Sequence, residues 1–127
     1  MKKRKKFDDL TLPPAYEGIE RQLMALFYCG VYITNADLVE VGRTIGLELG
    51  LKERMALLKD IMHEAHEKEE MPKVMQAFIQ LLQSRAGQYE EYARAYPQAA
   101  PLLRQWIQKA RSTAMLLQRE MRSNPYA

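Results

Sequence analysis

The chain has 127 residues, 47% apolar and 28% charged, with six glycines, six prolines, one cysteine and a formal net charge of +3. That length makes one domain, enough to bury roughly two thirds of the unfolded surface. A lone cysteine excludes an intrachain disulfide framework and a cysteine-rich zinc site, and apolar residues recurring throughout exclude a disordered chain.

The charge is unevenly placed. Residues 1–6 hold five Lys or Arg and no acid, residues 7–91 hold eight bases against fifteen acids, and residues 92–127 hold six bases with Glu120 alone. Basic ends around an acidic middle attract an acidic partner, nucleic acid included, or dock on the chain's own middle. Residues 1–6 have the charge of a signal-peptide start, but Phe7-Asp8-Asp9-Leu10 interrupts the apolar run that a signal needs. The longest apolar run, residues 23–33, is eleven long, against about 20 for a membrane span. The expectation is a cytoplasmic protein with no membrane insertion, in which Cys29 is a buried small hydrophobe.

In chain order, residues 1–12 read as a flexible basic tail, 13–123 as a helical bundle domain and 124–127 as a C-terminal tail. The expected fold class is all-α, a single compact bundle of about five helices. Pro14 suits the first turn of a first helix running to about Ile33. Ile19, Leu23, Leu26, Gly30 and Ile33 form its stripe, and Met24, Phe27 and Val31 spread apolarity around it. Such a helix is central to its bundle or awaits a partner. Thr34 or Asn35 can cap a second helix over about 36–49, with Asp37 at its positive end. Gly42, Gly46 and Gly50 lie four apart there, and each internal glycine costs close to 1 kcal/mol. Their spacing predicts a backbone passing closely; alternatively, Gly46 weakens the helix and Gly50 ends it.

The third helix, about 51–70, is expected to turn Leu51, Met55, Leu58, Met62 and Ala65 inward and Glu53, Asp60, Glu64 and Glu67 outward. The fourth starts at Pro72 and runs to about Ala95, with Met75, Phe78, Leu82, Tyr89, Tyr92 and Tyr96 as its stripe. A corner of Pro97 and Pro101 leads into a fifth helix from about Leu102 to Arg122, which Asn124-Pro125 stops. Leu103, Ile107, Ala110, Ala114, Leu117 and Met121 form its seam in alternating steps of four and three, flanked by Trp106. Two long helices around a tight corner predict an antiparallel hairpin with the other three packed across it.

No catalytic constellation stands out. No strand carries a glycine-rich phosphate loop, and Ser84, Ser112, Ser123 and Cys29 lack activating neighbours in sequence. The expectation is a protein that is not an enzyme and holds no cofactor. His63 and His66 are three apart, whereas the zinc pattern H-E-x-x-H sets its histidines four apart. Asp60, His63 and Glu67 offer one helix's share of a carboxylate-bridged di-iron site, but no second helix supplies a histidine. A solvated, charged helix end without metal is the expected reading, with a metal-binding helical protein as a further alternative.

The strongest candidate surface is the outer face of the fifth helix. At ~100° per residue, Arg104, Gln108, Arg111, Arg119 and Arg122 fall opposite the apolar seam. Arginines on one stripe can clamp phosphates or carboxylates; the plainer alternatives are a solvated face or salt bridges to the acidic middle. Second come Arg85, Tyr89, Tyr92 and Tyr96, an amphipathic groove for a peptide or helix or else core tyrosines with their hydroxyls at its edge. Arg85 in an apolar stripe needs an acidic partner or an exit to solvent. Eight methionines suit an adaptable binding surface or gap-filling.

The leading expectation is a non-enzymatic helical interaction protein (adaptor, assembly factor or small subunit) that binds a protein partner or itself. The alternative is a nucleic-acid-binding bundle using Lys2 to Lys6 with Arg104, Arg111, Arg119 and Arg122, whose attraction would be salt-sensitive. A helix-turn-helix built from the second and third helices is disfavoured, because Asp60, Glu64 and Glu67 would face the major groove.

Overall fold

The computed structural model describes residues 12–26 and 31–123. Within them the chain forms α1 (Pro14–Leu26), α2 (Asn35–Arg43), α3 (Arg54–Glu67), α4 (Met71–Ala95) and α5 (Ala100–Ser123), with a 3-10 turn at Pro97–Ala99. There is no strand among the described residues, so the all-α, five-helix expectation holds. Residues 1–11 of the tail expected over 1–12, the segment 27–30 with Cys29, and residues 124–127 lie outside the described residues, while Leu12 is described and is buried in the core.

The first helix is shorter than its apolar run suggests. In α1, Tyr16, Ile19, Leu23 and Leu26 are buried at helical spacing. Val31 and Ile33 belong to no helix; they are buried with exposed Tyr32 between them. The reason lies in α4. The Tyr32 N–H donates to the Tyr89 hydroxyl at 2.8 Å, and the Tyr32 carbonyl accepts from Arg85. Backbone groups satisfied by another element have no need of a helix.

The second helix also stops early, and its glycines show why. Gly46 takes φ +73°, its N–H donates to the Arg43 carbonyl at 3.1 Å, and Leu47 N–H donates to the Gly42 carbonyl at 3.0 Å. This is the left-handed closure that glycine permits. A Cβ on Gly42 would sit 3.0 Å from Leu49 Cδ1 and 3.1 Å from the Leu47 carbonyl oxygen. Close approach is present at Gly42, where the chain that comes close is its own segment of residues 47–49; Gly46 closes the helix and does not sit inside it, and Gly50 lies beyond its end. At the other end Thr34 and Asp37 form a reciprocal capping box.

Helix α3 departs most from its pattern. Leu58, Met62 and Ala65 are buried as expected, together with Leu57 and Ile61. Leu51 lies before the helix and is fully exposed, and Met55 is exposed at its first turn. Asp60 and Glu64, expected outside, are buried, as is His63. Lysines outside the helix make this tolerable. Lys52 Nζ donates to Asp60 Oδ2 at 2.6 Å, while Lys68 Nζ lies 3.2 Å from Glu64 Oε2 and donates to the Ile45 carbonyl at 2.9 Å. Buried charges are retained where they are paired.

Helices α4 and α5 pack on each other more extensively than any other pair. Met71, Val74, Met75, Phe78, Ile79, Leu82 and Ala86 are buried on α4, and Leu103, Ile107, Ala110, Ala114 and Leu117 on α5. Ala110 is wholly inaccessible, which is where a small side chain lets a neighbouring helix approach. Among the described residues no helix is long and apolar enough to cross a membrane.

Candidate binding surface on the last helix

The buried seam of α5 leaves the opposite face to solvent. Arg104, Gln108, Arg111, Met115, Arg119 and Arg122 are all exposed, and helical geometry places the six within an arc of about 80° over about 27 Å. Met115, at the middle of this stripe, is 61% exposed. An apolar side chain in that position is notable because the residues before and after it on the stripe are arginines.

The stripe is not free of acid. Glu90 of α4 reaches across to form an ion pair with Arg111, so Arg111 meets the salt-bridge expectation. Glu90, Arg104, Ile107, Gln108, Arg111, Ser112 and Met115 together line a shallow concavity of about 500 Å³. Its apolar lining includes buried Ile107 and exposed Met115. Sequence reasoning missed both Met115 and Glu90. Met115 was available from periodicity, lying four residues from Arg111 and from Arg119. Glu90 was not, because it arrives from a different helix.

The second candidate divides in two. Arg85 Nη2 lies 2.9 Å from Asp37 Oδ2, and the same carboxylate oxygen accepts the Thr34 N–H at 2.8 Å. Arg85 and Tyr89 thereby tie residues 32–37 to α4, and Asp37 is the acidic partner that an arginine in an apolar stripe needs. The Tyr89 ring packs against Trp106 at 5.8 Å and Tyr92 at 6.5 Å between centroids. Tyr92 and Tyr96 are exposed. The inner pair faces the fold and the outer pair faces solvent.

The histidines also occupy different settings. His63 is buried, and its pKa is lowered by burial, then by the charges of Lys59 and His66, with Asp60 opposing. His66 is exposed and meets the edge of the Tyr16 ring at 5.8 Å. Nearby on α1, burial raises the pKa of Glu20; Lys59 opposes this and Glu17 adds to it. Glu20 Oε2 is buried and accepts no hydrogen bond among the described residues. No group of three or more His, Cys, Asp or Glu is arranged to hold a metal ion among the described residues.

Comparison with known proteins finds no matching family, no similar curated protein and no similar solved structure. The chemistry of the surface therefore carries the functional reading.

Proposed function

We propose that this is a non-enzymatic helical interaction protein of the cytoplasm, an adaptor, assembly factor or small subunit, that binds a protein partner through the outer face of α5. The observation that supports it is the exposed stripe of Arg104, Gln108, Arg111, Met115, Arg119 and Arg122 beside a shallow concavity. Arginine and methionine are enriched in protein interfaces, and arginine dominates many of their energetic centres.

On this reading α4 and α5 form an antiparallel hairpin that supplies a stiff platform. Tyr89 meets Trp106 near the corner, while Met121 shares a concavity with Pro72 and Gln76 at the far ends. Contacts in reversed chain order support that arrangement. The nucleic-acid alternative draws on the same arginines, but a phosphate track along α5 would meet the Met115 side chain and the Glu90 carboxylate midway.

The test is crosslinking in the native host from a photoreactive residue at Gln108, with exposed Gln83 on α4 as control. The expected result is a protein adduct from position 108 that is absent from position 83. It should also vanish when Arg104, Arg111, Arg119 and Arg122 are all changed to Gln. A nucleic-acid adduct, or equal adducts from both positions, would overturn the proposal.

A further inference from the structure

Resting on that reading, we propose that the partner presents an acidic amphipathic helix, laid along α5 with an apolar side chain at its centre. Arg104, Arg111, Arg119 and Arg122 follow one another at intervals of seven, eight and three residues, so about 10, 12 and 4.5 Å along the axis. A helix lying alongside repeats its own faces at the same intervals and can offer each guanidinium a carboxylate. An extended segment rises about 3.3 Å per residue and alternates faces with period two. On such a segment the gaps of about 10 and 4.5 Å correspond to about three residues and about one, odd steps that turn the next acid away from α5.

The ligand chemistry is already visible at one position. Glu90 places a carboxylate on Arg111, and Arg111 keeps more than half of its side chain exposed beside it. Glu90 is an intramolecular stand-in for the acid that a partner would bring. Met115, 61% exposed at the centre of the stripe, and Ile107 in the lining of the concavity offer the apolar anchor site. An incoming carboxylate must share Arg111 with Glu90 or displace it. Glu90 therefore restrains binding of an acidic helix.

The experiment uses the full chain and a designed helical peptide of about twenty residues. One face carries Glu at seven-residue spacing on either side of a central Leu; in a matched peptide every Glu is Gln. Binding is read by fluorescence anisotropy at about 50 mM and about 200 mM salt. The Glu peptide should bind at least about tenfold tighter than the Gln peptide at low salt and lose much of that advantage at high salt. Glu90→Gln should tighten the Glu peptide about three- to fivefold, as expected for removing a competing surface carboxylate. Met115→Lys should weaken it, while Met115→Leu should not. Equal binding of the two peptides, or a Glu90→Gln variant that binds no tighter, would overturn the inference. If Gln108 crosslinks to protein yet the Glu peptide shows no preference, the partner reading stands and the acidic helix falls. A nucleic-acid adduct from Gln108 removes both.

Discussion

Arg85 and Asp37 lie 48 residues apart in sequence and meet at 2.9 Å with both side chains largely removed from solvent. The pair also organises its surroundings, since Asp37 caps α2 and Arg85 holds the Tyr32 carbonyl. Arg85→Met should therefore cost about 2–3 kcal/mol in urea unfolding. Adding Asp37→Asn to that variant should cost less than Asp37→Asn costs alone, because the charge it removes would already lack its partner. Sequence alone singled out Arg85 as needing an acid; which acid depended on how α2 comes to lie against α4.

Two further residues give pH dependence with opposite signs. The His63 pKa is lowered from its ordinary 6.5, so the unfolded chain takes up the proton first. Stability is then full above about pH 6.5 and falls as pH drops through the folded-state value. His63→Gln should flatten this part of a plot of urea midpoint against pH. The Glu20 pKa is raised from its ordinary 4.5, so the folded state holds the proton more tightly and ionisation weakens the fold. Glu20→Gln should be more stable than the wild type at neutral pH, with the difference closing as pH falls to about 4. Neither shift was legible in sequence, where His63 read as part of a solvated, charged helix end.

At the scale of elements, α2 and α3 end in the same way with different residues. Gly46 closes α2 with φ +73°. Glu69 closes α3 with φ 57°, its N–H donating to the His66 carbonyl at 3.2 Å and Glu70 N–H donating to the Ala65 carbonyl at 2.8 Å. A side chain in the left-handed region is strained where glycine is not. Glu69→Gly should therefore raise stability by about 0.5–1 kcal/mol, measured by thermal or urea unfolding, without altering the helix content. The helices α4 and α5 were legible nearly to their ends, because they are long and strongly periodic. The short ones were not: α2 was read through Gly46, and the first helix through residues 31–33. At residues 31–33 bonds to α4 compete with helix continuation, and at Gly46 a left-handed turn closes the helix; apolar periodicity registers neither.

For the molecule as a whole, the most extensive helix packing is that of α4 against α5. Ala110 is fully enclosed on the buried face of α5 and Ala114 nearly so. Ala110→Leu should force the helices apart and cost about 1–3 kcal/mol, seen as a lower urea midpoint. Met115→Leu on the outer face should leave the midpoint unchanged. The same contrast separates structure from proposed function on α5. One face is committed to the fold and the other is the face we propose for a partner.

Helix type, the buried seam of α5 and its arginine stripe are determined by the sequence, because they depend on residues three and four apart along a single helix. Only the tertiary structure decided that Asp60, His63 and Glu64 lie inside, that Arg85 and Tyr89 clasp residues 32–37, and that Glu90 reaches Arg111. Charged side chains turn inward where a counter-charge from another segment offsets their lost hydration, and no pattern within one helix records where that counter-charge will be.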